Sequence, residues 1–118
     1  MMSEDCLFCK IINQEIPSTI VFENENVLAF KDVNPVAPVH VLVVPKGHYE
    51  DILDMSSSEE GLAELKDLMA ALPLIAEELG VAEKGFRLIN NCGVEGGQTI
   101  MHTHFHLIGG RNLGPGII

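Results

Sequence analysis

The sequence predicts an α+β domain built on a mostly antiparallel sheet. Three short strand-like stretches precede one long stretch with helical periodicity, and two more strand-like stretches follow it. This order, with no regular alternation of strand and helix, disfavours the parallel winding of βαβ units. A chain of 118 residues can form one sizeable hydrophobic core but not two, so we expect a single domain over residues 1–118.

The first part of the chain is predicted to form a short helix and three strands. The helix is expected over residues 5–13, with an acidic residue near its start. Ile20–Glu23 and Val27–Lys31 are predicted strands that flank a polar turn. Residues 40–44 are apolar and mostly β-branched, which is typical of a central strand. Pro45 is expected to end this strand because proline has no N–H for the ladder.

The clearest helix is predicted to begin at Ser57, where Ser57 and Glu60 have the spacing of a capping box. Apolar residues then recur every three or four positions, which predicts one buried stripe. The stripe consists of Leu62, Leu65, Met69, Leu72, Ala76 and Leu79. Gly80 is expected to end the helix, and Pro73 is expected to kink it one turn earlier.

The last two strands are predicted over residues 85–91 and 101–108, with a glycine-rich loop between them. The final stretch places His102, His104 and His106 at alternate positions. Alternate side chains of a strand share one face, so an extended backbone would display three imidazoles together. Three desolvated imidazoles are costly to bury, and imidazole titrates near neutral pH. The pattern therefore indicates a chemical site on one face of the sheet.

Composition excludes several classes of partner. The chain has 17 acidic and 7 basic residues, for a formal net charge of −10, and no cluster of lysine or arginine offsets it. Such a protein repels nucleic-acid backbones, so we expect no DNA or RNA partner. No apolar run approaches 18 residues and no signal-peptide pattern is present, which predicts a soluble cytoplasmic protein without a membrane partner.

The stretch from Gly96 to Ile108, with its His-x-His-x-His pattern followed by two apolar residues, closely resembles the signature of the histidine triad superfamily. The segments 30–35 and 37–46 resemble the ribose-binding and central-strand segments of its Hint branch. This resemblance implies a five-stranded antiparallel sheet with a long helix and a short N-terminal helix. It also implies a homodimer in which the two five-stranded sheets join into a single ten-stranded sheet.

The resemblance further implies a hydrolase that acts on purine nucleoside 5′-phosphoramidates or on aminoacyl- or lysyl-adenylates. The family places the nucleophile on the middle histidine, here His104, and a phosphoryl contact on His106. His102 completes the triad, and His40 resembles the fourth histidine of the family's site. A neutral imidazole is nucleophilic at pH 7, and a nucleotidyl-imidazole divides one difficult displacement into two easier ones.

The same resemblance implies how a purine nucleotide is held. Asp32 is expected to accept hydrogen bonds from the ribose hydroxyls, and Asn91, Gln98 and Thr99 are expected near the sugar and phosphate, beside His104 and His106. Val33 is a candidate contact of the base, together with Ile12, Phe22 and Phe30, although each of these four is equally compatible with an ordinary core position.

Cys6 and Cys9 have the Cys-x-x-Cys spacing that can bind one edge of a tetrahedral zinc ion. His48 and His102 are the candidates to complete the site, and some bacterial members that resemble this chain have a structural zinc with the same pattern. The alternative is two free thiols. A closed four-ligand site leaves no position for water activation, so a zinc ion there would be structural. We expect the proposed chemistry to require no metal.

Two other functions stay open at this point. The triad histidines can themselves bind a catalytic metal, which would make the protein a metal-dependent hydrolase. A nucleotide-responsive interaction module with negligible turnover is the other alternative. The substrate's amine or acyl portion is not predicted, since the C-terminal ten residues diverge from the family's usual tail and contain no tryptophan.

Overall fold

The computed structural model describes residues 5–118, so the first four residues of the predicted domain lie outside the described range. Three helices and five strands follow one another along this range. They are α1 Leu7–Ile12, β1 Ile20–Glu23, β2 Val27–Lys31, β3 Val39–Pro45, α2 Ile52–Met55, α3 Glu59–Leu79, β4 Phe86–Asn90 and β5 Phe105–Gly109. The predicted bounds of β1 and β2 are confirmed, whereas the short helix α2 was not predicted.

The five strands form one antiparallel sheet in the order β1-β2-β3-β5-β4. The predicted five-stranded antiparallel sheet is thus confirmed. β3 is the middle strand, as its apolar sequence predicted, and its residues pair with β2 on one side and β5 on the other. It includes Pro45, which pairs with Val27 at the end of the ladder rather than lying beyond it.

The two faces of the sheet have different coverings. Val41, Val43 and Leu107 point to the face covered by α3, where they join one apolar cluster with Leu68 and Ile75. The alternate residues point to the other face, where α1 packs. That second cluster comprises Cys6, Phe8, Cys9, Leu28, Phe30, Leu42 and Val44. His40 and His106 belong to the alternate positions of β3 and β5, so they share the face of α1.

The long helix differs from its prediction at its start and in its buried face. Ser58, not Ser57, is the N-cap, and its hydroxyl accepts from the Gly61 N–H. The third helical residue is therefore Gly61, so no capping box forms. Leu62 and Met69 are 50% and 38% exposed.

The buried stripe of α3 is rotated by about one residue from the predicted one, with Leu68 and Ile75 fully buried in the cluster against the sheet. It comprises Gly61, Leu68, Ala71, Ile75 and Ala76, with Leu65, Leu72 and Leu79 half-buried beside them. The predicted end is confirmed, since Gly80 caps the helix with a φ of 72° that glycine adopts without strain. Pro73 lies inside α3, which continues through it.

The last strand is shorter than predicted. β5 begins at Phe105, so His102 and His104 precede it and only His106 lies within it. The reason is a competing hydrogen bond, because the N–H of Thr103 donates to the carbonyl of Tyr49 at 2.7 Å instead of joining the ladder with β3. The prediction of a continuous strand over residues 101–108 was wrong.

Candidate functional site

Three imidazoles, those of His104, His106 and His40, form a row on the α1 face of the sheet. The ring centroids of His104 and His106 are 5.2 Å apart, and those of His106 and His40 are also 5.2 Å apart. Phe8 of α1 packs edge-on against both His102 and His104, with centroid distances of 5.9 and 5.0 Å. The intervening Phe105 and Leu107 point to the α3 face. The alternation that the sequence predicted therefore extends through His102 and His104 although their backbone has left the strand.

His104 has one ring nitrogen engaged by the protein. Its Nδ1 lies 2.8 Å from the carbonyl oxygen of His102, which can only accept, so Nδ1 bears the proton of the neutral ring. The lone pair of that tautomer is then on Nε2. Burial lowers the pKa of His104 below its ordinary value of 6.5. The ring is therefore neutral at pH 7, with a nucleophilic nitrogen directed away from its backbone contact.

His106 and His40 form a directed hydrogen-bond chain. The Val36 N–H donates to Nδ1 of His40 at 3.1 Å, which assigns the proton of the neutral His40 ring to Nε2. That Nε2–H donates to Nδ1 of His106 at 2.9 Å and lies 3.4 Å from a carboxylate oxygen of Asp32. His106 is consequently left with a proton on its own Nε2. Burial and the neighbouring His104 and His40 lower the pKa of His106, while Asp32 opposes that shift.

A second cluster, which we call the Cys2His2 cluster, joins α1 to the segment before β5. It consists of Cys6, Cys9, His48 and His102, and the four ligand atoms all lie within 4.8 Å of one another. Nδ1 of His102 is 3.3 Å from Sγ of Cys6, 3.6 Å from Sγ of Cys9 and 3.2 Å from Nδ1 of His48. Sγ of Cys9 is 3.3 Å from Nδ1 of His48. The sequence alone offered this ligand set as one of two alternatives, and the fold brings all four residues together.

The donor set of this cluster fits a tetrahedral metal ion. With Zn–S bonds of about 2.3 Å and Zn–N bonds of about 2.0–2.1 Å, tetrahedral geometry separates sulfur from nitrogen by about 3.5 Å and two nitrogens by about 3.3 Å. The distances between the donor atoms match these edges. Nε2 of His102 donates to the Pro45 carbonyl at 3.0 Å, which leaves Nδ1 as the free lone pair and orients the ring. Burial lowers the pKa of His102 to about 4, so the ring is neutral, as a metal ligand must be.

A second group, Asp32, His40 and His106, also has ligand atoms within 4.8 Å of one another. Its internal hydrogen bonds favour a different interpretation. Because the Val36 N–H occupies Nδ1 of His40, the Nε2 that faces His106 bears a proton and cannot bind a metal without loss of that bond. The group is therefore better suited to hold a proton and orient His106 than to bind a catalytic metal.

The remaining predicted nucleotide contacts lie in two loops around the histidines. Asp32 is half-buried, and one of its carboxylate oxygens accepts from the Asn34 N–H at 2.7 Å. Val33 is 89% exposed, Thr99 is exposed, and Asn91 is half-buried just after β4. These four side chains are all at least partly exposed to solvent.

Gln98 has a different environment from these four residues. Its side chain is buried, and its amide donates to the carbonyls of Glu50 and Ile100 while its oxygen accepts from the Gly93 N–H. Both amide protons of the side chain are thus donated to carbonyls of the protein, and its oxygen accepts from a backbone N–H. Gln98 therefore shapes the loop beside Thr99.

The four apolar residues that were candidates to contact the base do not all lie on the same face of the sheet. Ile12 and Phe30 lie in the cluster on the histidine face, and Val33 is exposed beside it. Phe22 packs with the α3 cluster on the opposite face. A β-bulge between Ile20 and Phe22 is the reason, because it changes the alternation of β1 and places Phe22 opposite Ala29.

Sequence reasoning missed two polar groups that support the site. The Asn90 amide donates to the carbonyl of His104 at 3.0 Å. Glu64 of α3 accepts from the hydroxyl of Tyr49 at 2.9 Å, and burial and this bond raise the pKa of Tyr49, which remains a donor. The stripe predicted from the sequence did not include Glu64. On the observed buried stripe of α3, Glu64 lies three residues after Gly61 and four before Leu68. A charged residue at such a position usually has a partner.

The fold and the site together define a class of protein, namely an antiparallel α+β domain with a histidine-lined face. The family profile described as "HIT domain" matches residues 13–113. The chain therefore belongs to the HIT domain family. No helix among residues 5–118 combines the length and the apolar character needed to span a membrane.

Several relatives are similar over nearly the whole chain. The purine nucleoside phosphoramidase of Escherichia coli K12 is 44% identical over 114 residues, which are 97% of this chain and 94% of that protein. A protein of Arabidopsis thaliana named adenylylsulfatase HINT1 is 45% identical over 108 residues, or 91% of this chain and 72% of that protein.

Solved structures show the same fold. A HIT family hydrolase from Clostridium thermocellum superposes with a TM-score of 0.93 at 51% identity, covering 99% of this chain and all of that one. A histidine triad protein from Clostridium difficile gives a TM-score of 0.90 at 47% identity, with 97% of each chain covered. Relatives described as hydrolases thus support a hydrolase here.

Proposed function

We propose that this protein hydrolyses purine nucleoside 5′-phosphoramidates through a covalent nucleotidyl intermediate on His104. The observation that supports this most directly is the tautomer of His104, whose Nδ1–H donates to the His102 carbonyl at 2.8 Å and so leaves the Nε2 lone pair available. The 44% identity to a purine nucleoside phosphoramidase over 97% of the chain supports the substrate class.

The reaction is proposed to proceed in two displacements. Nε2 of His104 attacks the α-phosphorus, the P–N bond breaks, and the leaving nitrogen takes up a proton and departs as a neutral amine. Water then attacks the phosphorus, the P–N bond to His104 breaks, and a nucleoside monophosphate and a proton are released. His106 is proposed to donate its Nε2–H to a phosphoryl oxygen, because His40 holds its Nδ1 as an acceptor at 2.9 Å.

The nucleotide is proposed to lie along the rim formed by the two loops. Asp32 is proposed to accept from the ribose hydroxyls, Val33 to contact the base, and Asn91 and Thr99 to contact the sugar and phosphate. Their accessible side chains support these roles. Gln98 is proposed to act near the phosphate by holding the loop beside Thr99, since its own amide is engaged by Glu50 and Ile100.

We propose that the Cys2His2 cluster holds a structural zinc ion. Zinc would supply a fixed link between α1 and the segment that precedes β5, and a set of four protein ligands gives it no open position for water. The donor-atom distances support this role. The ligand His102 lies two residues before the proposed nucleophile, so the same link helps to place His104.

The wider assignments are also proposals. Aminoacyl- and lysyl-adenylates are proposed as a second substrate group, because they present the same α-phosphorus with a good leaving group. We propose a homodimer with a ten-stranded sheet, a single domain over residues 1–118 and a cytoplasmic location. The net charge of −10 supports a small-molecule nucleotide rather than a nucleic acid as the partner.

The decisive experiment measures ammonia release from adenosine 5′-phosphoramidate. Turnover by the unmodified protein should disappear in His104→Ala and persist in Met101→Ala, a control at an exposed neighbouring position. A chelator should leave the initial rate unchanged if metal has no part in the chemistry. Turnover that stops at once with chelator but survives in His104→Ala would instead favour a metal-dependent hydrolase. Nucleotide binding without any turnover would favour an interaction module.

A further inference from the structure

Residues 45–50, which we call the anchor loop, lie between α3 and the segment that bears two of the site histidines. The loop begins at the last residue of β3 and contains His48 of the Cys2His2 cluster. Its backbone makes hydrogen bonds in both directions, towards the helix and towards residues 98–103. The position of the loop is therefore linked to the position of both His102 and His104.

On the helix side, one carboxylate holds the anchor loop. An oxygen of Glu64 accepts from the Gly47 N–H at 2.6 Å, and the other oxygen accepts from the Tyr49 hydroxyl at 2.9 Å. Gly47 makes the short approach feasible, since a Cβ there would lie 2.7 Å from one Glu64 oxygen and 2.9 Å from the other. Hydrogen bonds to an ionised carboxylate are stronger than those between neutral groups.

On the site side, the anchor loop accepts three hydrogen bonds from two consecutive residues. The Pro45 carbonyl accepts from Nε2 of His102 at 3.0 Å. The Tyr49 carbonyl accepts from the Thr103 N–H at 2.7 Å and from the Thr103 hydroxyl at 3.1 Å. Thr103 is 1% exposed and directly precedes His104. These bonds are what keep the segment before β5 out of the strand ladder.

We propose that Glu64 is a positioning residue that holds the anchor loop in place. Through the loop it determines the positions of the metal ligands His48 and His102 and of the backbone of His104. This inference rests on the proposed function, because it assigns a role to Glu64 within that site. The two carboxylate oxygens of Glu64 accept from Gly47 and Tyr49, and its effect on the site is transmitted by these two bonds. Loss of the carboxylate frees the loop without removing any group of the site.

The test compares Glu64→Gln with a matched control, Glu78→Gln, which changes an exposed glutamate of the same helix. Tyr49→Phe is a second variant that removes only the hydroxyl bond. The proteins are loaded with zinc, and hydrogen exchange at the Thr103 amide is measured first. This amide reports the loop position, since its acceptor is the Tyr49 carbonyl, which none of the substitutions alters.

Glu64→Gln should accelerate exchange at the Thr103 amide about tenfold and weaken zinc binding, measured by competition with a chromophoric chelator, about tenfold. Tyr49→Phe should give smaller changes of the same sign, and Glu78→Gln should give none. Turnover of adenosine 5′-phosphoramidate should show a lower kcat for Glu64→Gln with KM nearly unchanged, because the nucleotide rim is left intact.

Unchanged Thr103 exchange and zinc affinity in a folded Glu64→Gln protein would overturn the proposal. A uniform acceleration of exchange across the sheet would also overturn it, since that result reports a general loss of stability. If the unmodified protein shows no turnover, the proposed hydrolase function fails, while the exchange and zinc measurements still decide the role of Glu64.

Discussion

Phe8 offers the sharpest test of how the short helix α1 supports the histidine face. Its side chain is 2% exposed. It makes edge-on ring contacts with Phe30, His102 and His104, at centroid distances of 5.6, 5.9 and 5.0 Å. Phe8→Ala would remove all three contacts and leave a cavity between α1 and the sheet. The substitution therefore tests both stability and the environment of His104.

The expected loss of unfolding free energy follows from the removal of a buried aromatic ring, and the chain length converts this loss into a change of Tm. Replacing a buried phenylalanine by alanine costs about 3–5 kcal/mol, and the three ring contacts place Phe8 in the middle of that range or above. For 118 residues the entropy of unfolding is about 0.25 kcal/mol per kelvin, so a loss of about 4 kcal/mol lowers Tm by about 15 °C. Phe8→Leu keeps most of the apolar volume and should lose about 1.5 kcal/mol or less.

The assay is urea unfolding of the zinc-loaded protein followed by far-ultraviolet circular dichroism, with Phe86→Ala as the control. Phe86 is 38% exposed at the edge of the sheet and should lose about 1 kcal/mol. Water admitted beside His104 should also raise its pKa towards 6.5, since burial is the main cause of its lowered value. A loss below about 1.5 kcal/mol for Phe8→Ala at unchanged m, with no shift in the pH profile of kcat/KM, would refute this reasoning.

Two further predictions concern the chemistry and its support. In the unmodified protein, kcat/KM should stay level down to pH 6.5 and decline only at lower pH. The reason is that burial lowers the pKa of both His104 and His106, and both act as neutral rings. A decline of kcat/KM that begins at or above pH 6.5, measured with zinc in excess, would contradict this. Asn90→Leu should lower kcat/KM by about five- to tenfold and the free energy of unfolding by about 1 kcal/mol, because it leaves the His104 carbonyl without its donor. Asn26→Leu, which removes an exposed amide bond to Asp67, is the control for chemical denaturation and steady-state rates and should change neither by a comparable amount.

Much of the sheet was predictable because its signals are local. Polar turns and apolar alternation predicted β1 and β2 to the residue, and an apolar, β-branched run predicted the central β3. Gly80 marked the end of α3, since a left-handed residue that closes a helix favours glycine. These features depend on neighbouring residues of the chain and not on what packs against them.

The candidate site was predictable as a set of residues but not as an arrangement. The spacing of His102, His104 and His106 predicted one shared face, and the Cys-x-x-Cys pair suggested partners for Cys6 and Cys9. The ring orientations depend on long-range bonds, such as those from Nε2 of His102 to the Pro45 carbonyl and from Nε2 of His40 to Nδ1 of His106. Nothing in the local pattern distinguishes Asn90 from an ordinary strand residue, and Glu64 was hidden because the predicted stripe of α3 was rotated by about one residue.

The sequence by itself determined the class of fold, the identity of the imidazoles and their common face, because alternation and turn chemistry act over a few residues. Only the tertiary structure decided which ring nitrogen holds a proton, where β5 begins and which side chains meet at the Cys2His2 cluster. Sγ of Cys6 and Nδ1 of His102, for example, lie 3.3 Å apart although the two residues are 96 positions apart along the chain. Contacts of that kind arise when α1, the anchor loop and the sheet pack together, and their geometry reflects the shape of all three.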